Sequence, residues 1–78
     1  MKISFNSVEQ IESFLNITQD MESDVIIQEG RLQLDGKSSV GMMEIPLDYP
    51  VSVYLIDKKG INETSEFIKR CMAIGVVV

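Results

Sequence analysis

Seventy-eight residues make one domain, 45% hydrophobic and 24% charged, which puts the chain with globular rather than disordered sequences. Folding a chain this short hides only about 60% of its unfolded surface, so a modest stability is expected. Twelve acidic against seven basic residues give a net charge of -5, which argues against a general nucleic-acid or acidic-membrane surface, because phosphate binding rests on a basic field.

"KISF" (2–5) alternates polar and apolar residues and predicts a short strand with Ile3 and Phe5 on one face. Ser7 then opens a helix. Gln10 stands three positions on, as in a capping box, and Glu9 and Glu12 lie toward the positive end of the helix dipole. Val8, Ile11, Phe14, Leu15 and Thr18 recur at helical spacing and define its buried face, and the helix should fade by Asp20. "DVIIQ" (24–28) is a β-branched run and "RLQLD" (31–35) alternates; Glu29-Gly30 supplies the tight connection of a hairpin that turns Leu32 and Leu34 to the core. "VSVYLI" (51–56) is the strongest strand, with Val51, Val53 and Leu55 on one face and Tyr54 and Ile56 on the other; Pro50 stands just before it, where a missing N–H costs least. Lys58-Lys59, beside Gly60, reads as a solvated turn. Asn62 is placed to cap a last helix from Glu63 to about Ile74, with Phe67, Ile68, Cys71 and Ile74 apolar and Gly75 as its stop.

Between the hairpin and the last strand runs "LDGKSSVGMMEI" (34–45), which contains the Gly-Lys-Ser that ends a nucleotide-binding P-loop. A P-loop also needs a glycine five positions earlier, and that position is Arg31; Gly30 is one residue out of register, and "LQLD" is a strand rather than a wrapping loop. The nucleotide reading is rejected. A simpler one has Gly36 end the hairpin and Ser38 or Ser39 cap a short helix from about Ser39 to Glu44, with Met42 or Ile45 inside and Met43 partly outside. Such an end favours negative charge. Lys37 and Ser39 are therefore candidate anion contacts, and a phosphate on a capping serine would gain from the same field.

The order strand, helix, strand, strand, short helix, strand, helix predicts an α+β fold, a four-stranded antiparallel sheet covered on one face by three helices (βαββαβα), in a single domain over residues 1–78. A free edge strand and an open sheet face permit a dimer without predicting one.

Histidine is absent. That removes Ser-His and Cys-His nucleophiles, imidazole acid–base work and most zinc sites. Cys71 is alone, so no internal disulfide forms, and its side chain fits a buried small hydrophobe in a reducing compartment. No enzyme, metal or cofactor is expected. "MKISFNSVEQ" turns polar after one lysine, so no export signal is expected, and no apolar run could span a bilayer; the expected location is the cytoplasm.

In "DGKSSVGMMEI", the residues Lys37, Ser38, Val40, Gly41, Met43 and Ile45 fall in register on the pattern Lys-Ser-Ile-Met-Gly-x-Met-x-Leu. The segment resembles that of HPr, the small phosphocarrier of the bacterial sugar phosphotransferase system, whose length and element order the whole chain shares. The resemblance implies the HPr-type open-faced β-sandwich. HPr carries a phosphoacceptor histidine in a His-x-Arg-Pro stretch before its first helix. Here "SFNSVEQI" has none of those residues, so phosphohistidine transfer lies outside this chain's chemistry. The resemblance is thus to a histidine-lacking member, similar to the catabolite-repression homologue of HPr, which keeps only a regulatory use. Carried over, it implies that Ser38 is a regulatory phosphorylation site, that Val40 and Met43 belong to a partner-docking patch, and that the partners are HPr kinase, a transcription regulator or a transport-system component. Ser39 departs from the pattern, standing where the family usually shows an apolar contact residue. Two other readings stand beside this regulatory, non-enzymatic module: phosphate transfer from a non-histidine group, and a small anion- or metabolite-binding α+β domain unrelated to phosphotransfer.

Overall fold

The computed structural model describes residues 1–78. The elements are β1 (Lys2–Ile3), α1 (Val8–Gln19), β2 (Asp24–Glu29), β3 (Leu32–Asp35), α2 (Ser39–Met42), β4 (Val51–Ile56) and α3 (Thr64–Ala73). The fold is α+β, an open-faced sandwich. Its four strands pair in the order β1-β4-β2-β3, every neighbour antiparallel, and the helices cover one face.

The register explains why only one face needs a cover. Ile3 lies opposite Val51, Val25 opposite Leu55, Ile27 opposite both Val53 and Leu34. Every inward apolar side chain thus meets another, because side chains alternate with a period of two along each strand. Ile11, Phe14, Leu15 and Ile17 of α1 and Phe67 and Cys71 of α3 close over that layer. Phe14 is the hinge of the packing, meeting Phe5 edge-on at 5.3 Å between ring centroids and Phe67 at 5.9 Å; such pairs add about 0.5–1.5 kcal/mol beyond the area they bury.

Helix α1 begins as its sequence predicts. The Ser7 hydroxyl accepts from the Gln10 N–H at 3.2 Å, while the Gln10 side chain accepts from the Asn6 N–H at 2.8 Å, one residue before the cap. The Gln10 amide also donates to the Ile74 carbonyl at 3.1 Å, tying the first helix to the end of the last. Val8 departs from the expected face. It is the first residue of the helix and 45% exposed, while Ile17 takes a core position instead.

Three other expectations change. Glu29 pairs with Leu32, so the hairpin turn is Gly30-Arg31 rather than Glu29-Gly30. Leu32, at the turn end of edge strand β3, is exposed while Leu34 is buried. Asn62 does not cap α3. It sits in a positive-φ turn (φ 52°) because its N–H, with those of Gly60 and Ile61, donates to the Asp57 carboxylate. The cap residue is Glu63, and its side chain reaches away from its own helix. Its carboxylate accepts from the Glu22 N–H and from the N–H and hydroxyl of Ser23, at 2.8 to 3.1 Å, and so staples α3 to the α1–β2 turn.

The C-terminal valines are structural. Gly75 adopts φ 78°, a left-handed conformation that a side chain would strain. The Gly75 N–H donates to Met72 and the Val76 N–H to Cys71, a Schellman closure that buries Val76. The tail then runs antiparallel to β1, with Val77 opposite Ile3, the Ser4 N–H donating to the Val76 carbonyl and the Val78 N–H to the Lys2 carbonyl. The outer edge of β1 is thereby paired, and β3 is the remaining free edge.

The Glu63 staple makes an acid-side prediction. The Ser23 backbone N–H above all, then the Ser23 hydroxyl and the Glu22 N–H, hold its carboxyl below the ordinary glutamate range. A depressed carboxyl stabilises the fold above the unfolded-state value and loses that contribution as pH falls through the folded one. Glu63→Gln should therefore be less stable than wild type at neutral pH, and the gap should narrow below about pH 4. Urea midpoints at neutral and acid pH measure it; a gap that stays constant contradicts the staple.

Candidate functional site

The site begins where β3 ends. Gly36 donates its N–H to the Val25 carbonyl at 2.8 Å, continuing the hairpin ladder by one step. A Cβ on Gly36 would lie 2.6 Å from Val25 Cγ1 and 3.1 Å from the Val25 carbonyl oxygen, so the position has room for glycine alone. The Gly36 carbonyl accepts from the Thr18 hydroxyl at 2.7 Å. Thr18 is fully buried in α1, and its hydroxyl is satisfied there by this bond together with a longer one to the Leu15 carbonyl at 3.2 Å.

From that joint the chain turns sharply. The Asp35 carboxylate accepts from the Lys37 N–H at 2.9 Å and its carbonyl from the Ser38 N–H at 3.0 Å, an Asx-type turn. Ser38 is the cap: extended in its backbone, it accepts from the Gly41 N–H on its hydroxyl at 3.1 Å and from the Met42 N–H on its carbonyl at 2.9 Å. The Ser39 hydroxyl has no hydrogen-bond partner in the chain, so of the two serines only one is used structurally. Helix α2 is a single turn. It tightens past Met42 into shorter-range bonds, Glu44 to Gly41 and Ile45 to Met42, both 3.2 Å, and ends before Pro46.

Burial sorts the side chains of this turn sharply. Met42 is completely buried and Ile45 nearly so, pinning the segment to the core, while Val40 is 79% and Met43 67% exposed. Val40 and Met43, three apart on one helical turn, share the outward face. At Gly41 an added Cβ would make only ordinary contacts, 3.5 Å from the Asp35 carbonyl oxygen, so nothing local requires glycine there.

Lys37 points elsewhere. Its ammonium donates to the Met21 carbonyl just past the end of α1, where a cation complements the negative end of the helix. Asp24 pairs with Lys58 at 2.7 Å, Glu22 with Lys59 at 2.8 Å and Asp20 with Arg70 at 3.1 Å. Lys58-Lys59 is thus a paired turn. The sequence reasoning that placed Lys37 beside Ser38 had no means of seeing Met21, sixteen residues away along the chain. Helical spacing puts Glu63 on a solvated helix face and gives no sign of its partners, which lie forty positions upstream in sequence.

Elsewhere, an open apolar depression of about 300 Å³ lies between β4 and α3, lined by Met1, Val53, Tyr54, Leu55, Thr64, Phe67 and Ile68. A smaller one of about 160 Å³, at the α1–α3 contact, includes Asp20, Glu63, Glu66 and Arg70. Burial pushes the Cys71 thiol up to about 11, so it stays protonated at neutral pH. No group of three or more metal-ligating side chains comes together, and no helix is long and apolar enough to cross a membrane. No family model, curated protein or solved structure matches the chain.

Two stability predictions test the joint and its cap. Gly36→Ala should cost about 1–3 kcal/mol, as overpacking against Val25 does in well-filled interiors; a change within experimental error in a urea titration would contradict the close approach. Ser38→Ala should cost about 1 kcal/mol and Ser39→Ala almost nothing, because only the first hydroxyl caps. Equal losses at the two serines would show that the cap is assigned to the wrong residue.

Proposed function

We propose that this chain is a non-enzymatic docking module that uses the outer face of α2 and is switched at Ser38. One observation carries the reading. The single turn Ser39–Met42 buries Met42 completely yet turns Val40 and Met43 to solvent, an arrangement in which the core holds the turn and the exposed pair is left for a partner. Methionine suits such a role because its unbranched thioether adapts to differently shaped surfaces.

Ser38 is only half-buried, and its hydroxyl bonds outside itself only to the Gly41 N–H. A phosphate there would add about -1.5 to -2 charge beside the first-turn amides of α2 and next to the docking pair. With Lys37 held on Met21, the phosphate's local partners are backbone N–H groups, so its main effect would fall on the partner's side of the contact. The resemblance of residues 35–45 to the regulatory segment of HPr favours the same assignment, with HPr kinase as modifier and a transcription regulator or transport-system component as the docked protein. We place this activity in the cytoplasm, with no direct nucleic-acid contact.

Treatment with HPr kinase and ATP, followed by intact mass, tests the switch. Wild type should gain one phosphate and Ser38→Ala none. A wild-type mass that stays unchanged, or a gain that persists in Ser38→Ala, overturns the assignment of Ser38.

A further inference from the structure

The exposed pair on α2 opens a longer run of exposed apolar side chains along the chain. Beyond the helix, Leu47 is 44% and Tyr49 55% exposed. The segment 39–49 therefore contributes only Met42 and Ile45 to the core and leaves Val40, Met43, Leu47 and Tyr49 in water. It is nevertheless held in place. Met42 and Ile45 anchor its first half, and the Asp48 N–H donates to the Phe5 carbonyl at 2.6 Å in its second. Pro46 lies inside it and Pro50 directly after it, each fixing one φ angle. A surface fixed before binding loses less freedom on docking.

The segment's own charge is of one sign. The segment contains Glu44 and Asp48, both exposed, and no lysine or arginine. Neither carboxylate takes part in any of the chain's three ion pairs. The nearest cation in sequence, Lys37, is bonded to the Met21 carbonyl, and Lys58, Lys59 and Arg70 are occupied by Asp24, Glu22 and Asp20. Lys2, Arg31 and Lys69 complete the chain's seven cations and lie outside the segment, so Glu44 and Asp48 stand beside its apolar side chains without an ion pair, on a chain whose net charge is already -5. A second copy of the same chain would bring like charges together, which costs affinity.

We infer that the occupant of this surface is a basic protein segment, one that inserts aliphatic or aromatic side chains against Val40, Met43, Leu47 and Tyr49 and sets lysine or arginine against Glu44 and Asp48. The inference rests on the docking function proposed above and specifies its partner's chemistry. Phosphate on Ser38 would deepen the same negative field and tighten binding to such a segment.

Selection of binders from a random peptide library displayed on phage, with the folded wild-type protein as bait, tests it. The enriched peptides should carry net positive charge together with large apolar residues, and their amide-shift changes by NMR should map to residues 39–49. Their affinity should fall about tenfold in the double variant Glu44→Lys/Asp48→Lys, and severalfold on raising salt to about 0.5 M, because these rim charges act through a screened field. Val40→Asp should abolish binding. Far-UV circular dichroism checks that each surface variant remains folded. Binding lost in Val40→Asp but indifferent to charge reversal and salt overturns the basic partner and leaves the docking surface standing. Acidic or neutral binders mapping to this surface do the same. No enrichment, or binders that map elsewhere, overturns both.

Discussion

Gly36 runs against Val25 at a distance that no side chain could share, and the outward geometry of the second helix depends on that approach. The same peptide is gripped from the other side by the buried Thr18 hydroxyl. A strand end, a helix and a turn therefore meet at one residue, and the direction in which the chain leaves the sheet is set there. The Asp35 turn and the Ser38 cap follow within three residues, so that a helix of only four residues, too short to persist alone, is held by what precedes it and by the burial of Met42 and Ile45. Gly-Lys-Ser in this chain thus serves a steric joint and a cap, chemistry unrelated to the phosphate cradle those three residues form elsewhere.

A second constraint is the distribution of charge. Asp20, Glu22 and Asp24 alternate through the α1–β2 connection and meet Arg70, Lys59 and Lys58 in turn. Exposed pairs of this kind add little stability, about 0–1 kcal/mol each. Their larger effect is on the field. Three of the chain's seven cations are drawn to one flank, and Lys37 is drawn to the adjoining Met21 carbonyl, while Glu44 and Asp48, in the segment that carries the exposed apolar residues, take part in no ion pair. The carboxylate of Glu63 works differently. It takes up three donors of the Glu22-Ser23 turn, of which the two on Ser23 would otherwise be left partly buried without a partner.

Much of this was legible in the sequence because its causes are local. Strand alternation placed Leu34, Val51 and Val53 inward and Tyr54 and Ile56 outward, while Val25 and Ile27 were legible only as part of a β-branched run; the Ser7–Gln10 spacing marked the start of α1; Gly75 marked the end of α3. Apart from the one-residue shift of the hairpin turn to Gly30-Arg31, the departures are non-local. Val8 and Leu32 obey the periodicity and still face water, Val8 in the first turn of α1 and Leu32 at the turn end of an edge strand. Asn62 was a plausible cap by residue type, but Asp57 claims its N–H. Periodicity alone left Ser38 and Ser39 equivalent, and the turn bonded by Asp35 decides between them. The pairing of the final valines with β1 joins residues more than seventy positions apart. The same holds for the site: the outward Met43 and inward Met42 could be anticipated from spacing, whereas the redirection of Lys37 and the exposure of Leu47 and Tyr49 depend on the packed whole.

Amide hydrogen exchange on the intact chain tests most directly the claim that the joint at Gly36 holds α2 as part of the core. The Gly36 and Met42 amides, bonded to Val25 and Ser38 at 2.8 and 2.9 Å, should exchange only as slowly as the central strand does, through opening of the whole fold. The Ser39 and Val40 amides of the first turn, which have no acceptor, should exchange quickly. A Gly36 amide exchanging as fast as that of Val40 would mean that the segment moves independently of the sheet, and the fixed outward surface would be lost with it.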